Sequence, residues 1–121
     1  MINFKKHPKG FYYKTLSGTQ VETGYRDIVF LLSYFEETDT LQISTVDPNQ
    51  QHLNEKNLAI ALRGLLHFEV MLAPEKVSIT LNKNDNDLEK LIIAHHMILG
   101  YAAKETNISQ FNKTIFMDYA K

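Results

Sequence analysis

The sequence predicts an α+β fold, a single small domain spanning residues 1–121, with an antiparallel sheet of hairpins packed against two main helices at about 54–72 and 87–104. Three observations carry that expectation. Aromatic and β-branched runs flank turn dipeptides through the first 46 residues, "KVSITLNK" alternates apolar and polar residues, and two long stretches repeat apolar residues at helical spacing. A chain of 121 residues is the size of one domain, and 44% hydrophobic with 22% charged residues lies near the globular average, so a core without disulfides is within reach.

Taken in order, "GFYYKTL" and "TQVETGY", separated around Ser17 and Gly18, predict a hairpin. The segment "YRDIVFLLSYFEETDTLQISTVD" admits a helix over Asp27 to Phe35 or a strand that turns at "EETD" and returns as "TLQISTV". The hairpin is preferred: a helix would set Glu36, Glu37 and Asp39 at its negative end, whereas Ile28, Val29, Phe30, Tyr34 and Phe35 suit a strand. Next comes a helix with Asn54 as a candidate N-cap. It either stops at Gly64, leaving "LLHFEVML" as a strand, or continues to Ala73 before Pro74. The longer form is favoured because "LAIALRGLLHFEVMLA" is mostly good helix formers and one internal glycine costs only about 1 kcal/mol.

"KVSITLNK" places Val77, Ile79 and Leu81 on one face of a half-buried strand. "NDNDLEK" then forms a capping box, with Asn86 as cap, Asp87 at the positive helix end and Glu89 reaching back. After Lys104, Ile108, Phe111, Ile115 and Phe116 mark a docked closing segment, strand or helix.

Several chemistries are excluded. The chain has no cysteine, hence no thiolate zinc site, disulfide or cysteine nucleophile. Its first residues lack a secretory apolar core and no apolar run is long enough to span a bilayer, so the expectation is a cytoplasmic protein with no membrane partner. G-x-S-x-G, Walker A and a glycine-rich fingerprint are all missing, and "NDND" lacks the glycine and the bidentate glutamate of a calcium loop. No cofactor is expected.

The second helical stretch, "LEKLIIAHHMILGYAAKE", carries two adjacent histidines. Leu88, Leu91, Ile92, Ile98, Leu99 and Ala102 share a face with His95 in its middle and His96 at its edge. Neighbouring helical positions diverge by roughly 100°, so the two rings are not expected to share a metal, and no metal site is predicted. His95 reads first as a buried neutral imidazole with a hydrogen-bond partner. The first helix carries Glu69 inside its apolar face of Leu58, Ala61, Leu62, Leu65, Phe68 and Leu72, and two such helices side by side would join Glu69 to His95.

Charge is segregated. Lys5, Lys6, Lys9 and Lys14 stand together at the start, while Glu36, Glu37, Asp39, Asp47 and Glu55 face no Lys or Arg between residues 33 and 55. On the nominally wet side of the second helix, Ile93, Met97 and Tyr101 form an apolar ridge, which asks for a partner or for self-association as a homodimer.

These features support three functions. The first is a small protein-binding domain that occludes a partner, such as an immunity or inhibitor protein against a basic toxin or nuclease domain, using Glu36, Glu37, Asp39, Asp47, Ile93, Met97 and Tyr101. On that reading no residue is catalytic. The second is a small acid/base enzyme using Glu69 and His95, or His96. The third, a nucleic-acid-binding or regulatory domain, would use the basic N-terminal arm, although nucleic acid is the less expected partner.

Overall fold

Among the described residues, eight strands form one sheet in the order β1-β2-β3-β4-β5-β6-β8-β7, covered on one face by two helices. The structure is a computed structural model and describes residues 5–6, 11–26, 28–46 and 55–120. The strands are β1 (Lys5–Lys6), β2 (Tyr12–Thr15), β3 (Gln20–Tyr25), β4 (Ile28–Phe35), β5 (Thr40–Val46), β6 (Lys76–Asn82), β7 (Tyr101–Ile108) and β8 (Asn112–Tyr119). The helices are α1 (Glu55–Leu72) and α2 (Asn86–Ile98). This is the α+β architecture the sequence predicts.

Hairpins build the first half of the sheet because each turn has residues able to adopt it. Gly18 takes φ 57° between β2 and β3, Arg26 takes φ 55° between β3 and β4, and Asp39 takes φ 48° after the 3-10 turn Glu36–Thr38. Residues 28–35 are therefore strand, and their partner β5 pairs from Phe35↔Thr40 to Val29↔Val46. Helix α1 then carries the chain over to β6, which makes β5–β6 the one parallel pair of the sheet, from Thr40↔Lys76 to Ser44↔Thr80.

Register puts Phe30 and Leu32 of β4, Leu41 and Ile43 of β5, Val77, Ile79 and Leu81 of β6, and Ile115 and Met117 of β8 on one face, all of them buried. Against them pack Leu58, Ala61, Leu65 and Phe68 of α1 and Leu88 and Ile92 of α2. Each such side chain contributes about 1.5–3 kcal/mol of burial. The opposite face is more polar, with Gln42 exposed and the hydroxyls of Thr80 and Thr114 3.0 Å apart across β6 and β8.

Helix α1 runs straight through Gly64 and ends where Ala73, at φ 45°, precedes Pro74. Helix α2 departs from expectation at both ends. Its N-cap is Asp85, whose side chain accepts from the Leu88 N–H, and not Asn86. It stops at Ile98 instead of continuing to 104, because Gly100 turns the chain at φ 102° and its N–H closes on the Met97 carbonyl. The stretch after Gly100 is good helix former by propensity yet lies in β7, where pairing with β8 satisfies its backbone. The closing segment is thus a pair of strands.

Among the described residues, no helix is long and apolar enough to cross a membrane.

Candidate functional site

The two helices bring three ionisable side chains together between their last turns. Glu69 projects from the apolar face of α1, and its backbone carbonyl accepts the Ala73 N–H that ends that helix. His95 and His96 approach its carboxylate from the final turn of α2. His95 Nε2–H donates to Glu69 Oε1 at 2.8 Å, while His96 Nε2 lies in ion-pair contact with Glu69 Oε2. The other ring nitrogen of His96, Nδ1, donates to the Ile92 carbonyl at 2.7 Å.

Burial separates the two rings in a way periodicity did not. The His96 side chain is 0% exposed and Glu69 1%, against 13% for His95. His95, expected at the centre of the apolar face, is the partly exposed member, and His96, expected at its edge, is sealed. Adjacent rings do leave the axis in different directions, but a carboxylate arriving from the facing helix meets both, with the rings edge to face and their centroids 4.9 Å apart.

The electrostatics follow from this geometry. Burial alone would raise the Glu69 pKa, but the hydrogen bond from His95 and the ion-pair contacts of both imidazoles outweigh it and hold the carboxyl below its ordinary value of 4.5. A carboxylate depressed in the folded state stabilises the fold above that ordinary value and loses the contribution as acid titrates through the lowered one. The denaturant midpoint of the wild type should therefore drop over this acidic range more steeply than that of Glu69→Gln. Parallel curves would contradict the assignment.

Beside the cluster lies a cavity of about 440 Å³ lined by Glu69, Val70, Ala73, Pro74, Leu99 and Tyr101, with Asp39, Glu75 and Tyr119 completing the wall. Tyr101 donates its hydroxyl to the Pro74 carbonyl and stands edge-on to His96 and Tyr119, at 6.1 and 5.4 Å between centroids. Burial, then the negative charge of Glu69 and Asp39, pushes its phenol up to about 12, so it stays a neutral donor. Asp39 ties the rim together by accepting from the Tyr34 hydroxyl at 2.6 Å and the Glu75 N–H at 3.1 Å.

The residues proposed from sequence as a docking surface are spread over several elements. Glu36 and Glu37 are exposed on the 3-10 turn, Asp39 is engaged at the cavity, and Asp47 lies outside the described residues. Ile93 is half-buried against the core, Met97 is exposed, and Tyr101 is buried in a strand, so the ridge of three is not a helix face. Of the basic arm, Lys14 pairs with Glu22 at 3.5 Å, Lys9 lies outside the described residues, and Lys5 and Lys6 form β1. The cavity itself had no sequence signal beyond Gly100, whose helix-ending role brings Tyr101 into it.

Fold and site together define a two-layer α+β domain with a buried carboxylate–imidazole cluster beside a cavity. The N-terminal domain of a ribosomal-protein-alanine acetyltransferase from Clostridium acetobutylicum matches it with a TM-score of 0.61 over 97% of this chain and 96% of that one, at 11% identity. Looser matches are a spermidine N-acetyltransferase from Vibrio cholerae (TM-score 0.48, 11% identity, 93% of this chain and 68% of that) and a nourseothricin acetyltransferase (0.48, 9%, 94% and 66%). No family model and no curated protein sequence matches the chain. The likeness at this identity is one of fold. The reading as an immunity or inhibitor protein acting by occlusion is corrected on two findings: a solved structure that shares this fold over nearly its whole length comes from an acetyltransferase, and the residues on which occlusion rested lie on separate elements.

Proposed function

We propose that this protein is a small acid/base enzyme that transfers an acetyl group to an amine, with Glu69 and His95 as the proton-handling pair. The observation that carries the reading is a buried carboxylate bonded to a partly exposed imidazole, with the carboxylate on the wall of a cavity. Glu69 Oε1 accepts the Nε2–H of His95, which fixes the tautomer and leaves Nδ1 as the basic nitrogen, on the one ring of the cluster that solvent reaches. His95 Nδ1 first takes a proton from the bound ammonium and releases it to solvent; as the freed amine nitrogen then attacks the acetyl carbonyl, its next proton passes to His95. The new C–N bond forms, the bond from acetyl to donor breaks, and the departing group takes the proton.

Two further features support the acceptor class. Asp39, Glu69 and Glu75 make the cavity wall acidic, and Tyr101 and Tyr119 are aromatic, a lining that suits a molecule carrying an ammonium group. The acetyltransferase likeness of the fold points to the transferred group.

The sequence has no glycine-rich phosphate cradle, so the assay should offer acetyl thioesters both with and without a phosphate-bearing carrier. Mass spectrometry of a panel of primary amines and short peptides is expected to find one acetylated class. His95→Gln should lower kcat by about 10²- to 10⁴-fold, the usual weight of a general base. Absence of transfer from every donor, or His95→Gln working at the wild-type rate, ends the proposal.

A further inference from the structure

We infer that Glu69, His95 and His96 form a binding site for a borderline divalent transition metal, zinc being the first to test. The three side chains each offer one ligand atom, and these atoms lie within 4.8 Å of one another. Two imidazole nitrogens and a carboxylate oxygen are the donor set that zinc takes in sites with a remaining position for water. Bonds of about 2.0–2.1 Å would place the donors roughly 3.3 Å apart. The His95–Glu69 separation of 2.8 Å and the still closer His96–Glu69 contact would both have to open to reach that spacing.

The second observation is the state of the buried atoms. His96 Nδ1 faces a carbonyl, which can only accept, so Nδ1 must carry hydrogen. In the neutral ring Nε2 is then a lone pair pointing at the lone pairs of Glu69 Oε2. Both atoms are buried and neither has a hydrogen-bond partner. Something positive has to lie between them: a proton at the separation seen, or a metal ion once the pair opens to ligand spacing. The bond from Nδ1–H to a backbone carbonyl is also the arrangement that orients a metal-binding histidine and sharpens the basicity of its Nε2.

The site draws on the same side chains as the proposed chemistry but does not depend on it, because coordination is indifferent to the reaction. If the acetyl-transfer reading holds, the metal form is the inhibited one, since a coordinated cluster no longer exchanges its proton.

Metal-stripped full-length protein titrated with zinc chloride by calorimetry should take up one ion per chain. Cobalt should give the visible absorption of a four-coordinate nitrogen and oxygen site. Both signals are expected to vanish in Glu69→Gln and His96→Gln, with circular dichroism reporting whether these variants fold. His95→Gln, which alters the partly exposed ring, locates the site even if they do not. No uptake by the wild type overturns the inference, and so does full uptake by His95→Gln, which would place the ion at His7, His52 or His67. These readouts use no substrate, so a protein that binds zinc and transfers no acetyl group, or the reverse, separates the two proposals.

Discussion

Glu69→Ala is expected to lower stability by about 3 to 5 kcal/mol, the range found when one partner of a buried ion pair is removed. The loss has two parts. Truncation empties space in a core where Leu65 and Phe68 are already buried, and it strips the sealed His96 ring of the group facing its Nε2. His95→Ala should cost less, about 1 to 2 kcal/mol, because its ring is partly exposed and water can replace some of what is removed. Denaturant melts of the two variants would measure the order. A Glu69→Ala protein as stable as a surface variant would mean that the carboxylate is not the hub of the cluster.

Gly64→Val should be similarly damaging, at about 3 kcal/mol, the upper end for overpacking a well-filled site. A glycine in mid-helix gives up about 1 kcal/mol of helix propensity relative to alanine, so its position in α1 needs a packing reason. A Cβ at Gly64 would lie 2.1 Å from Thr23 Oγ1 and 3.2 Å from the Phe11 ring. Thr23 cannot readily give way, because it is fully buried and its hydroxyl donates to the Tyr12 carbonyl at 2.8 Å. Gly64 thus sets how closely α1 approaches β3. The cost should appear in thermal melts even for Gly64→Ala, where improved propensity offsets part of the clash. A more stable Gly64→Ala protein would show that the helix can retreat without loss.

Much of the scaffold behind these results was legible in the chain. Alternation in Val77, Ile79 and Leu81 marked β6, the acidic residues after Phe35 argued for a turn over a helix end, and the good helix formers on either side of Gly64 carried α1 to Leu72. The misreadings cluster where a local preference met a longer-range demand. Residues 102–105 have helical propensity, yet β8 offers them backbone partners and Gly100 has already ended α2. That glycine was the available signal. The cap moved by one residue, from Asn86 to Asp85, because both side chains are competent and only the path of the preceding loop chooses between them.

By itself the sequence determined the α+β class, the strand around Val77, Ile79 and Leu81 and the start of the second helix, and it marked Glu69 and the paired histidines as polar residues within apolar stretches of helical spacing. Those are properties of spacing along one segment, which backbone geometry converts directly into a face. Only the tertiary structure decided that His96 and not His95 is sealed, that Tyr101 closes a cavity instead of extending a ridge, and that two rings diverging from one helix meet on a single carboxylate. The physical reason is that convergence depends on where a second helix crosses the first: α1 delivers Glu69 between the two imidazoles, and no periodicity within α2 contains that position.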